Sequence, residues 1–245
     1  MKKTTTFIAS ILFAVSLSAQ IKPIKIAKHL VKAENNKIIR SGDEILSNLM
    51  INPNPHTYPV LNSNSKSTIT SEIIGWTTYD LQTNNSVQNR IVVHDNGTMS
   101  AAWTTSSELN SSWSDRGTGY NFFDESVWGE QPYERIESVR CGWPSIAHTG
   151  SGLELSVTHP GIDTPFLMTS RALGTSDAWS ELSLPMDGPL GVLWPRVATS
   201  GTDGNTIHVI GVSTPVANGG ALFQGQDGAL LYYRSQDAGV TWEQS

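Results

Sequence analysis

The stretch Tyr232-Tyr233-Arg234-Ser235-Gln236-Asp237-Ala238-Gly239-Val240-Thr241-Trp242 decides how this chain is read. Ser235, Asp237, Gly239, Thr241 and Trp242 fill every place of a Ser-x-Asp-x-Gly-x-Thr-Trp frame. The Asp237 carboxylate can accept backbone N–H bonds inside a tight turn. Gly239 tolerates the positive φ that such a turn needs. Trp242 can pack between adjacent sheets while its indole N–H finds a partner. A turn of this kind joins the third and fourth strands of a four-stranded unit. Two eroded copies stand in corresponding places: Ser170-Arg171-Ala172-Leu173-Gly174 before Trp179, and Asp124-Glu125-Ser126 before Trp128.

Working back from that turn, the same succession occurs three times. Arg90–His94, Asn96-Gly97-Thr98 and Met99–Trp103 form the first set. Trp143–Ala147, Gly150-Ser151-Gly152 and Leu153–Thr158 form the second. Trp194–Ala198, Gly204-Asn205-Thr206 and Ile207–Val212 form the third. Each is a β-rich run, a Gly-containing turn and a second β-rich run, which is the signature of a hairpin. Third strands follow at Gly119–Phe123, Pro165–Ser170 and Ala229–Arg234, each leading to a Trp (128, 179, 242). Trp143 and Trp194 differ by 51 residues, as do Trp128 and Trp179. Four short strands repeating near this period predict an all-β chain, a β-propeller with about three four-stranded blades over 68–245. A two-sheet β-sandwich is the competing architecture. Three blades do not close a ring, so an incomplete ring is expected, with exposed apolar side chains on its terminal blade and the chain a fragment of a longer protein.

Composition agrees with a β-rich, exported protein. Charged residues are 16% of the 245, while Gly (21) and Trp (8) are frequent, which excludes a coiled coil and disfavours a helix bundle. Cys141 is the sole cysteine, which excludes a disulfide framework and a thiolate zinc site. The six His (29, 56, 94, 148, 159, 208) show no short-range ligand spacing. No phosphate-binding Gly-rich loop and no Gly-x-Ser-x-Gly elbow occurs, so neither metal nor cofactor is expected. Residues 1–40 hold eight Lys or Arg against one acid, Glu34, whereas 41–245 hold eight basic and 21 acidic residues. The acidic body should repel nucleic acid and anionic membranes.

Met1-Lys2-Lys3, the apolar run Phe7–Leu17 and the small residues at Ser16–Ala19 make a three-part secretory signal peptide over 1–19. Residues 20–67 read as a basic leader followed by a Pro/Asn/Ser linker that includes Asn52-Pro53-Asn54-Pro55. A secreted or outer-surface location follows, with no transmembrane segment after signal removal.

On the Ser235–Trp242 frame and its copies, residues 70–245 resemble a secreted sialidase-like (Asp-box, or BNR-repeat) β-propeller of the kind exported by Bacteroidetes-type bacteria. The resemblance implies that Ser235, Asp237, Gly239, Thr241 and Trp242 are structural and lie on the outer rim. It also implies an axial site that takes a carboxylated sugar. In the family, three Arg hold the substrate carboxylate, an Asp acts as acid/base, and a Tyr–Glu pair is the nucleophile. The first family Arg stands in an Arg-Ile-Pro run; Arg90-Ile91-Val92 lacks the Pro. No acid/base Asp and no Tyr–Glu pair is assigned.

Segments preceding the inner strands of a propeller surround its axis. Here they would gather Arg90, Arg140, Trp143, Trp194 and Arg196, with indole faces for sugar rings and guanidinium forks for an acid. The plainer alternative is that Trp-Pro is a packing motif and the Arg balance acids such as Glu137. Tyr120 and Asp124 are further candidates for a binding loop. Three functions remain open: a glycan-binding or other ligand-binding extracellular propeller, an exo-acting glycoside hydrolase of sialidase type, and a structural or protein-binding propeller. The partners expected are a carbohydrate or an extracellular protein ligand.

Overall fold

The computed structural model describes residues 71–83, 87–185, 188 and 191–244, all within the unit Ile69–Ser245. The expected signal peptide, leader and linker lie outside the described residues. The chain forms β1 (Ile91–Val93), β2 (Met99–Thr105), β3 (Gly117–Phe123), β4 (Gly142–His148), β5 (Leu153–His159), β6 (Leu167–Ala172), β7 (Ser180–Ser183), β8 (Val192–Ser200), β9 (Thr206–Ser213), β10 (Leu230–Ser235) and β11 (Glu243–Gln244). Among the described residues, helix is confined to one 3-10 turn, Val216–Asn218. No helix there is long and apolar enough to cross a membrane.

The strands make three antiparallel meanders: sheet I (β1-β2-β3), sheet II (β4-β5-β6-β7) and sheet III (β8-β9-β10-β11). Every pairing joins neighbours in sequence, and tight turns return the chain antiparallel at once from β1 to β2, from β4 to β5 and from β8 to β9. Among the described residues there are three sheets, not the two of a sandwich, and they do not close on one another. Sheet II stands between the others. Val197 N of β8 donates to Ser145 Oγ of β4 (3.0 Å), and Ser100 Oγ of β2 donates to Glu154 Oε2 of β5 (3.3 Å).

Two-residue periodicity makes the faces of sheet II chemically different. In Leu153–His159, Leu155 and Val157 point toward sheet III, and Glu154 points toward sheet I. The apolar face joins Phe166, Met168, Val192, Val197, Ile207, Val209, Leu231 and Tyr233 in one core. Each such side chain contributes about 2 kcal/mol on burial. Between sheets I and II the contact is polar. Arg171 Nε pairs with Glu154 Oε1 (2.6 Å), Tyr120 OH donates to Glu154 Oε2, and the Arg171 guanidinium lies over the Tyr120 and Trp179 rings (5.0 and 4.3 Å).

Sheets II and III share one irregularity. Each has a bulge at a Trp-Pro pair, between Gly142 and Ser145 in β4 and between Leu193 and Arg196 in β8. Among the described residues sheet I has three strands, not four. Asp124 Oδ1 accepts from Ser126 N and Val127 N (both 2.9 Å), closing a tight turn that returns Trp128 to Phe123 in a single bridge. Gly129 and Pro132 follow, and neither favours extending a strand. By contrast β7 and β11 directly follow Trp179 and Trp242.

Candidate functional site

The Ser235–Trp242 turn is held by its own side chains. Asp237 Oδ1 accepts from Thr241 N and Ser235 Oγ (both 2.8 Å), and Asp237 Oδ2 accepts from Thr241 Oγ1 (2.6 Å). Gly239 N donates to Ser235 Oγ (2.8 Å), and Trp242 Nε1 donates to Gly239 O (3.0 Å). Gly239 has φ 96°, and a Cβ there would stand 3.0 Å from Met168 Cε. The hydrogen bonds from Thr241 and Ser235 hold the exposed Asp237 carboxyl down at about 2. Nothing in this geometry offers chemistry to a ligand; it fixes the passage from β10 to β11 and seats Trp242 against the core.

At the starts of β4 and β8 the two Trp-Pro bulges come together with side chains from the segments that flank the strands of sheet I. Trp143 has φ 58° and Trp194 has φ 56°. A bulky residue in this region costs roughly 1–2 kcal/mol, which surrounding packing must offset. That packing centres on His159. The Trp143 ring stacks on it (6.4 Å, 19°), and Trp194 N donates to His159 Nδ1 (3.2 Å). Burial, then the positive charges of Arg116 and Arg140, push the imidazole down to about 3. His159 is therefore neutral at ordinary pH, as an Nδ1 acceptor must be.

The five predicted ligand residues divide into two groups. Arg90 and Arg196 belong together. The turn bonds His94 N→Thr98 O (2.9 Å) and Thr149 N→Leu153 O (2.8 Å) correspond, which places Arg90 level with Ser145. Through the twin bulges Ser145 is level with Arg196. Arg90 and Arg196 thus occupy the same row of sheets I and III. Burial lowers Arg90 to about 10, and the like charge of Arg196 adds to that shift. Arg90 Nη2 donates to Gln82 O (2.7 Å), while its buried Nε has no hydrogen-bond partner. Arg196 Nη1 donates to Trp194 O and Pro195 O (both 3.1 Å).

Arg140 keeps different company. Its Nε donates to Trp113 O (2.9 Å), and burial followed by the charge of Arg116 lowers its pKa. Arg116 Nε donates to Cys141 O (2.9 Å), and its guanidinium lies 5.1 Å from the Tyr79 ring. Tyr79 packs edge-on against Trp113 (5.1 Å) and Trp143 (6.4 Å). Arg116, Trp113, Tyr79 and His159 carried no sequence signal of a site, since their neighbours are ordinary loop or strand residues. The Glu137 carboxylate, offered as a balance for Arg, instead accepts from Thr118 N (2.8 Å) and Thr118 Oγ1.

The other candidates serve structure. Tyr120 gives its hydroxyl to Glu154, and Asp124 caps its own turn. Tyr120–Glu154 is a Tyr–Glu hydrogen bond, but Glu154 is only 2% exposed between sheets I and II. Glu154 pairs with His148, the far end of β4 from Gly142, roughly 15 Å along the strand from the Trp143 bulge. Two cavities of about 140 and 490 Å³ lie at the β9–β10 connection around Phe223, away from the arginines. Among the described residues, no group of three or more His, Cys, Asp or Glu could hold a metal ion. No protein-family model matches the chain, and no curated protein matches it in sequence.

Proposed function

We propose that this chain is a secreted, sialidase-like Asp-box β-propeller that binds glycans carrying an acidic group. The binding end is the one where β4 and β8 begin at their Trp-Pro bulges. Three consecutive antiparallel meanders packed in series, the duplicated Trp-Pro bulge and the self-bonded Ser235–Trp242 turn support the propeller reading. The observation that carries the ligand class is the row shared by Arg90 and Arg196. Two partly desolvated guanidiniums repel each other, and an anion placed between them relieves both the repulsion and the lost hydration. A carboxylate fits best, because a guanidinium fork meets it with two parallel hydrogen bonds. The neighbouring indole of half-exposed Trp194 suits the apolar face of a sugar ring.

Binding is favoured over hydrolysis. The Tyr120–Glu154 pair is enclosed between two sheets and already engaged by Arg171 and Ser100, so a substrate cannot reach it. Calorimetric titration of 3′-sialyllactose against lactose tests the reading. The acidic sugar should bind and lactose should not, and Arg90→Ala or Arg196→Ala should weaken binding at least tenfold. Equal binding of the two sugars, or none of either, would overturn it. Release of a fluorophore from a sialoside would move the protein to the hydrolase class.

A further inference from the structure

Arg116 and Cys141 clasp each other where β3 and β4 begin. Cys141 N donates to Arg116 O (3.0 Å), and Arg116 Nε donates to Cys141 O (2.9 Å). Gly142 permits this, because a Cβ there would stand 3.0 Å from Arg116 Nε. The clasp brings Arg116 next to Arg140, whose Nε donates to Trp113 O (2.9 Å). Arg135 comes from the same connection and donates through Nε, Nη1 and Nη2 to Glu137 O, Ser114 O and Ser138 O (3.0, 3.2 and 3.1 Å).

All of these acceptors are neutral oxygens. The carboxylates of the two connections are engaged elsewhere. Glu108 accepts from Ser114 N (2.7 Å), Asp115 from Ser107 N (2.7 Å) and Glu137 from Thr118 N (2.8 Å), and each also accepts from a Ser or Thr hydroxyl. Among the described residues, no carboxylate pairs with Arg116 or Arg140.

The three arginines differ in what they leave open. Arg135 spends all three nitrogens. Arg116 donates through Nη1 to Tyr79 Oη (3.3 Å) as well, which leaves Nη2. Arg140 spends Nε alone, which leaves Nη1 and Nη2. Arg140 is exposed and Arg116 half-buried. Beside them Trp113 has φ 37°, and its buried Nε1 has no hydrogen-bond partner. Backbone strain at a bulky residue is held in place only where the surroundings demand it. Burial and then the charge of Arg116 lower Arg140, whereas Arg196 is the charge that acts on Arg90. The two arginine pairs are therefore separate.

We propose that Arg116 and Arg140 form a second oxyanion site, which takes a carboxylate or a sulfate ester of a ligand. The Nη1–Nη2 edge of Arg140 meets two oxygens in parallel, and Arg116 Nη2 supplies the neighbouring charge. An anion there relieves the repulsion between two partly desolvated cations. The site does not rest on the ligand assigned to Arg90 and Arg196.

Calorimetric titration of sodium sulfate and of sodium glucuronate into the full chain is the test, with ionic strength held constant by chloride. The Arg90→Ala background keeps the other arginine row from contributing. At least one anion should bind saturably at a single site. Arg140→Gln and Arg116→Lys should each weaken that binding at least tenfold, and Arg140→Lys, which keeps the charge without the fork, should weaken it less. Arg234→Gln, on β10, should leave it unchanged. The anion should also raise the melting temperature of the parent chain and not that of Arg140→Gln. Binding of sulfate alone assigns a sulfate ester, and binding of glucuronate alone assigns a carboxylate. Neither anion saturating by tens of millimolar, binding indifferent to Arg140→Gln and Arg116→Lys, or an equal loss in Arg234→Gln would overturn the proposal.

Discussion

Trp143 and Trp194, 51 residues apart, hold the same left-handed backbone at the same bulge of equivalent strands, with φ 58° and 56°. One histidine, His159, touches both: its ring stacks on Trp143 and its Nδ1 accepts from Trp194 N. The strain at the two bulges is thus tied to a single buried group, and Arg116 and Arg140 are the charges that act on it.

His159 should make the protein acid-sensitive well above the carboxylate range. Its folded pKa, about 3, lies below the ordinary 6.5. The unfolded chain therefore binds a proton that the folded chain refuses. Stability is fully present above 6.5 and is lost as pH falls toward 3, with a slope of about 1.4 kcal/mol per pH unit. Urea unfolding at a series of pH values should show this slope, and His159→Gln should flatten it.

Removing each indole should cost different amounts. Trp143 is buried and Trp194 half-buried. Trp143→Ala should destabilise by about 3 kcal/mol, and Trp194→Ala by about 1 kcal/mol, since less surface is lost. Equal losses in denaturant titrations would contradict the role of Trp143 in packing His159.

The polar seam between sheets I and II should fail when one partner is deleted. Glu154→Ala leaves the Arg171 guanidinium unpaired in a largely buried place, at a cost of about 3 kcal/mol. Tyr120→Phe removes one hydrogen bond to the same carboxylate and should cost about 1–2 kcal/mol. A double-mutant cycle between Tyr120 and Glu154 should show coupling, because both act through one oxygen.

Asp237 predicts a second acid transition. Its pKa is depressed from 3.8 to about 2, so its support of the turn is present above 3.8 and is lost as pH falls through 2. Thermal melts between pH 5 and 2 should converge for the native chain and Asp237→Asn at the acid end. The variant should melt lower at pH 5.

Much of the fold was legible along the chain. Hairpins at Asn96-Gly97-Thr98, Gly150-Ser151-Gly152 and Gly204-Asn205-Thr206 are local events, since a turn residue and its flanking β-rich runs lie within a dozen positions. The missing fourth strand of sheet I was less legible: Asp124 and Trp128 resemble the other copies, but the tight Asp124 turn spends the chain before a strand can pair. Of the candidate site, Arg90 and Arg196 were named from their place relative to the strands. Arg116, Tyr79, Trp113 and His159 were not, because each becomes part of the cluster only through contacts 16 or more residues distant.

What the residues determined unaided is periodic and local: β-strands of alternating face, a 51-residue spacing, and a turn whose Ser, Asp, Gly and Thr bond to one another. Tertiary structure alone decided which polar groups face each other. It joined Glu154 to Arg171 and Tyr120, set Arg90 level with Arg196, and put Arg116 next to Arg140. The physical reason is that alternation assigns a side chain to a face but not to a neighbour. Neighbours are chosen when whole sheets dock, and that choice depends on bulges and registers summed over many residues.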